Sequence, residues 1–341
     1  MPVLEMLREL TQVPGTSGNE AKAASLAAKY LKPYCESVEY DKLGNLIAVV
    51  RKPQPGEEHL LLDAHIDQIG LVVTYIEENG FLRVAASGGI DIRLLCASEV
   101  MVHGRKDILG VICSTPPHLQ QGEAKNLSCE EIYIDTGYTK DQLAGLVQPG
   151  DTVTFCSRFE QLLGTKVKSG ALDDRCGCAA LIRSAELLQG KELCCGLTIL
   201  LSTREELGCQ GSKTGSFLIA PTQAIAVDVS FGDTPDTPKQ KCGKLGQGPM
   251  IGISPVLDRS FSESLQELAK KNSIPYQVEV MGGSTSTNAD NIAVSRDGVR
   301  TALLSVPLRY MHTPIEVIDT EDVEETARLM AAYCMEVGKD A

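Results

Sequence analysis

Three uninterrupted apolar runs, each closing on residues of metal-binding type, constrain this chain more than any other feature. They are HLLLDAHID at 59–67, LTILLSTREE at 197–206 and AIAVDVS at 224–230. Such continuity suits strands buried on both faces of a mostly parallel sheet, because a half-exposed strand would alternate apolar with polar. Gly-rich and helical segments separate the runs, which gives the rhythm of an α/β fold. Open α/β sheets build their sites outside the carboxyl ends of their strands. Here those ends carry His65 with Asp67, Glu205 with Glu206, and Asp228, so the three are expected to meet in one crevice.

Two more segments fit that crevice. Asp173 and Asp174 stand in GALDDRCG just before a predicted helix, where a carboxylate can face both a helix N-terminus and a cation. His312 in LRYMHTP follows the apolar TALLSVPL and precedes a helix-stopping proline. Taken singly these signals are weak, since a lone histidine is usually packed or solvated and a Glu-Glu pair is usually a solvated face. Two histidines and at least four acids in five segments are a far more specific set. Amide hydrolysis near neutral pH needs an activated water, and a metal lowers the pKa of bound water to near 7. Two metals about 3.5 to 4 Å apart, joined by one carboxylate, can share a hydroxide and polarise a carbonyl. Of two adjacent glutamates, one can ligate while its neighbour stays free as general base.

The rest of the chain sets the frame. Residues 1–52 read as two helices and a hairpin, with Asn19 as cap of a helix from about Glu20 to Lys32 and LGN as the hairpin turn. Between about Gly70 and Leu163 the texture changes to short β-like pieces broken by ENG, SGG, HGRKD and QPGDTV, with a brief helical stretch after Thr139. This is the pattern of a small β-rich insertion into a larger domain. DTEDVEETARLMAAYCMEVGK reads as a terminal structural helix with acids in its first turn. At 341 residues, two domains are the expectation. A net charge of −13 argues against nucleic acid or an anionic membrane as partner, since both attract clustered Lys and Arg. No signal-peptide pattern and no run of about 20 apolar residues is present, which points to the cytoplasm. The twelve cysteines are scattered, and the CGC and CC spacings of Cys176, Cys178, Cys194 and Cys195 do not suit structural zinc, so reduced thiols are expected.

TSGNE, the LGN turn, DAHIDQIGLVV, GVICSTPPHL, GDTVTF, GALDDRCG, STREELGCQGS, AVDVSFGDTP and PLRYMHTPIEVI together resemble a metallo-aminopeptidase family. It contains glutamyl and tetrahedral (TET) aminopeptidases and proteins labelled endoglucanase, and the resemblance runs over nearly the whole chain. It implies a mixed-sheet α/β/α, phosphorylase/hydrolase-like catalytic domain, here residues 1–69 and 164–341. A barrel or PDZ-like β-rich domain, here 70–163, is inserted for dimerisation or oligomerisation. The resemblance further implies two divalent ions per subunit, zinc by default with cobalt, manganese or nickel as chemical equivalents. One ion would be held by His65, Asp173 and Asp228, and the other by Asp173, Glu206 and His312, with Asp173 as bridge. Glu205 would be the general base and Asp67 the orienting partner of His65. The implied substrates are peptides with a free N-terminus, and the implied assembly is a homo-oligomer that can reach a dodecamer. Gln68 stands where Glu is common and Asn288 where Asp is common, and both departures bear on how a charged substrate group is held.

Two other readings compete. A glycoside hydrolase, suggested by the endoglucanase label, needs two carboxyls flanking a bond at about 5 to 9.5 Å and has no use for the two histidines. A non-catalytic assembly protein with a vestigial site would be expected to have lost ligands or the base, and none is missing.

Overall fold

The computed structural model describes residues 2–113, 117–119, 129–235 and 237–339. Residues 114–116 of the GVICSTPPHL stretch lie outside them. In chain order the elements begin with α1 (Val3–Gln12), α2 (Ala21–Leu31), β1 (Ser37–Tyr40), β2 (Leu46–Arg51) and β3 (His59–His65). Then follow β4 (Gly70–Ile76), β5 (Leu82–Ser87), β6 (Glu99–His103), β7 (Asp107–Cys113), β8 (Tyr133–Asp135), α3 (Lys140–Leu143) and β9 (Thr152–Phe155). The chain continues through β10 (Glu160–Gln161), β11 (Lys166–Ser169), α4 (Leu172–Leu187), β12 (Gly196–Ser202), α5 (Gln210–Ile219) and β13 (Gln223–Phe231). It closes with β14 (Met250–Ile253), α6 (Arg259–Lys271), β15 (Gln277–Val280), α7 (Asn288–Ala293), β16 (Arg300–Leu308), β17 (Glu316–Asp319) and α8 (Thr320–Cys334).

The three apolar runs become β3, β12 and β13 of an eight-stranded mixed sheet, ordered β1-β2-β12-β3-β13-β16-β14-β15. The central pairings β12–β3, β3–β13 and β13–β16 are parallel, while β1–β2, β2–β12 and β14–β16 are antiparallel. Both faces of the central strands are covered, which is why their sequences do not alternate. Leu60, Leu62, Ala64, Ile225 and Val227 pack with residues of α1, α2, α4, α6 and α8 on one face. Leu61, Leu200, Ala224, Ala226 and Leu303 pack with Ala289 and Ile292 of α7 on the other.

Strands β4 to β9 close into a barrel in the order β4-β5-β8-β7-β6-β9, around a separate core that includes Leu71, Val84, Val100, Ile134 and Val153. Strand β7 alternates: its even-numbered positions from Ile108 to Ile112 are buried and Asp107, Leu109 and Val111 point outward. The helical stretch after Thr139 is the single turn α3, closed by a capping box between Thr139 and Gln142. Strand β10 pairs with β11, which pairs in turn with β17.

Asn19 does not cap α2. Glu20 occupies the cap position without a side-chain bond to the helix, its carboxylate accepting instead from the Gly18 amide at 2.6 Å, and the Asn19 side-chain amide donates to Thr152 Oγ1 at 3.0 Å, tying this loop to the barrel. The LGN turn does join β1 to β2. Asp41 Oδ1 accepts from the Leu43 and Asn45 amides at 2.8 and 3.0 Å, and Gly44 sits at φ +90°, a conformation open to glycine at little cost.

Candidate metal centre

The ends of β3, β12 and β13 meet as their registers require. His65 is the last residue of β3, opposite Ser202 at the end of β12. Glu205 and Glu206 follow in the next loop, and Asp228 projects from the same face of β13 as Ala224 and Ala226. Asp173 enters from the start of α4, where it and Asp174 leave helical geometry, and the peptide bond between them is cis. His312 comes from the loop between β16 and β17 at φ +60°.

The six side chains form overlapping groups whose ligand atoms lie within 4.8 Å of one another: His65, Asp173 and Asp228; Asp173, Glu206 and His312; and His65, Glu205 and Glu206. Asp173 is shared by the first two. Its Oδ1 is 3.0 Å from His65 Nε2, and its Oδ2 is 3.4 Å from His312 Nε2. Asp228 Oδ1 lies 4.0 Å from His65 Nε2, and Glu206 Oε2 lies 3.5 Å from His312 Nε2. His312 remains partly exposed at 35%, so the site opens on its side, while His65, Asp173, Glu206 and Asp228 are nearly closed off.

Electrostatically this is a pocket of unbalanced acid. Burial and the neighbouring Asp173 push Glu206 up to about 8, and burial drives Asp228 well above the ordinary carboxylate range. Asp173 is held low in spite of its burial, by its bonds to the two imidazoles, and these in turn raise His312 to about 9. Among the described residues, no Lys or Arg pairs with Asp173, Glu206 or Asp228. Two imidazoles and three buried carboxylates with no fixed cation are a donor set that fits divalent metal. The carboxyls are gathered on one another rather than spaced about a scissile bond, which is not the arrangement of a glycosidase pair.

A ring of buried groups holds these residues. The Asp67 carboxylate lies 3.4 Å from His65 Nδ1, slightly farther than the Asp67 carbonyl at 3.2 Å. Asp67 also accepts from the Glu205 amide at 3.0 Å, the Glu206 amide at 3.3 Å and Ser17 Oγ at 2.6 Å. It therefore fixes the glutamate pair as much as the histidine. Glu316 accepts from the Leu172 and Asp173 amides at 2.8 and 3.2 Å with one oxygen and from the His312 amide at 3.1 Å with the other. One buried carboxylate thus joins the two loops that carry Asp173 and His312. The Cys209 thiol donates to Glu205 Oε1 at 3.2 Å. From the barrel, Gly88 and Gly89 press on the site: a Cβ on Gly89 would stand 3.0 Å from His312 Nδ1, and one on Gly88 would stand 3.3 Å from Glu206.

Sequence reasoning missed Glu316, Cys209 and the two glycines. An acid inside the apolar IEVI run was the available signal for Glu316; SGG carries only the signature of a turn. Gln68 and Asn288, the two departures from the family pattern, are held by neighbouring buried groups. Gln68 Oε1 accepts from the wholly buried Arg175 at 3.3 Å, and Asn288 Nδ2 donates to Asp63 and Ser202, both at 2.8 Å, beneath His65.

A family model described as M42 glutamyl aminopeptidase matches residues 44–329. This chain belongs to that family. The lysyl aminopeptidase of Pyrococcus furiosus is 33% identical over 98% of this chain and 97% of its own length. Aminopeptidase APDkam598 from Desulfurococcus kamchatkensis superposes with a TM-score of 0.92 at 31% identity, over 98% of this chain and 95% of that one. The Pyrococcus horikoshii TET1 peptidase, which can assemble into a tetrahedron or a large octahedral shell, gives 0.86 at 34% identity, over 98% and 100%. As an M42 member the chain is an aminopeptidase, a hydrolase of peptides, and the family implies a divalent metal. Among the described residues no helix is long and apolar enough to cross a membrane.

Proposed function

We propose that this M42 aminopeptidase removes residues from the free N-terminus of peptides with two divalent ions, zinc by default. His65, Asp173 and Asp228 hold one ion, and Asp173, Glu206 and His312 hold the other. The observation that carries this reading is the presentation of one Asp173 oxygen to each histidine, at 3.0 and 3.4 Å, which suits a carboxylate that serves two ions. When bound, the ions supply Lewis acidity that makes water a competent nucleophile near neutral pH and polarises a carbonyl.

The chain's own residues do the rest. Glu205 is half-buried beside the ligand groups without being needed by either triad, so it is free to take the proton of the attacking water and return it to the leaving amine. The Cys209 thiol occupies Oε1 and leaves Oε2 for that transfer. Asp67 keeps His65 turned toward Asp173 and holds the Glu205–Glu206 backbone in register. Residues 1–69 and 164–341 form the catalytic unit, and the 70–163 stretch with its barrel mediates homo-oligomerisation. The twelve free thiols are in keeping with a cytoplasmic enzyme.

Glu205→Gln tests the assignment of the base. The variant is expected to retain its metal, measured by elemental analysis, while kcat falls by about 10² to 10⁴. Turnover within a few-fold of the wild type would remove Glu205 from that role.

A further inference from the structure

The polar groups on the metal-bearing face of the sheet continue beyond the ligands. Asp228 of β13 is paired with Ser305 of β16, and Ser230 follows two residues on, so all three face the same side. Glu279 of the edge strand β15 lies beside Gly252 of β14, and its side chain crosses that strand to reach both serines. Ser230 Oγ donates to Glu279 Oε1, and Ser305 Oγ donates to Oε2 at 3.2 Å. The crossing is open because Gly252 has no side chain: a Cβ there would lie 3.0 Å from Leu257 and 3.1 Å from Leu303.

The carboxylate is half-buried, and no Lys or Arg among the described residues pairs with it. Two hydroxyls orient it but leave its charge uncompensated, a costly arrangement unless a cation arrives. Same-face neighbours along a strand are about 7 Å apart, which sets the order of the distance from Asp228 to this carboxylate. A lysine side chain, built from bonds of about 1.5 Å, carries its ammonium roughly 6 Å from its Cα.

We propose that Glu279 is the specificity-determining residue for the first side chain of the substrate, receiving the ammonium or guanidinium of an N-terminal Lys or Arg. This rests on the reading above that the enzyme is an aminopeptidase with Asp228 as a metal ligand, and it sets the first residue of the substrate beside Asp228. Ser230 and Ser305 are positioning residues that aim the carboxylate.

The test compares kcat/KM for lysyl- and norleucyl-p-nitroanilide on the metal-loaded enzyme, because norleucine keeps the aliphatic stem and lacks the ammonium. Wild type is expected to favour lysine at least tenfold, and Glu279→Gln to bring the ratio close to one. Norleucyl cleavage without lysine preference in the wild type would overturn the assignment of Glu279 alone, and it needs no variant to fold. So would a ratio that survives Glu279→Gln. Failure to hydrolyse any aminoacyl derivative would overturn the aminopeptidase reading and this inference with it.

Discussion

Asp173, Asp67 and Glu316 each do several things at once, and their burial makes this necessary. A carboxylate inside a protein must satisfy all its lone pairs locally, so a few acids tie many groups together. Asp173 serves two histidines, and its removal should affect both halves of the site. Asp173→Ala is expected to lose high-affinity binding of both ions, read as metal stoichiometry after gel filtration; two tightly held ions would refute the bridge. The histidines and acids that converge here were legible because each closes an apolar run or stands beside one, where the sheet geometry dictates their meeting place. Glu316 and Cys209 were not, since their partners are backbone amides and a carboxylate brought close only by the fold. Gln68 and Asn288 were legible as departures, but not their environment: they face Arg175 and Asp63 in the packing behind the site.

Among the elements, the central strands were readable because burial on both faces leaves an unmistakable apolar run, and the β-rich insertion because frequent turns break its short strands; its closure into a barrel was only one of two forms that the resemblance implied. Asn45 illustrates what a turn signal does not tell. Beyond closing the β1–β2 hairpin, it accepts from the Thr203 amide at 2.8 Å and donates to the Gly211 carbonyl at 3.0 Å. It thereby clamps both ends of the loop that carries Glu205 and Glu206. Asn45→Ala would leave the buried Thr203 amide unpaired, while the Gly211 carbonyl keeps Thr214 Oγ1 at 3.2 Å, at a cost of about 1 to 3 kcal/mol. Chemical denaturation should register that loss, together with a lower kcat from a looser glutamate pair. A variant as stable as the wild type would show that the clamp is dispensable. Asn19 was misread for a related reason: a cap residue and a long-range amide donor look alike in sequence, and Thr152 outcompetes the helix terminus.

For the whole molecule, the site lies where the α/β body meets the barrel, with Gly88 and Gly89 against Glu206 and His312. The centre concentrates acids that repel one another, so bound cations should stabilise the folded chain. At a hundredfold excess over Kd, one ion contributes about 2.7 kcal/mol, which corresponds to several degrees of Tm. Chelation is therefore expected to lower Tm and restored zinc or cobalt to raise it; a Tm indifferent to chelation would contradict a metal at this centre.

The central claim is hydrolysis at the free N-terminus by the metal-loaded site. The most direct measurement strips the protein with a chelator, restores zinc or cobalt, and follows release of the first residue from matched peptides with free or acetylated N-termini. Metal-dependent release confined to the free N-termini is the expected result. Cleavage of acetylated peptides at equal rates, or none from either set with metal bound, would contradict it.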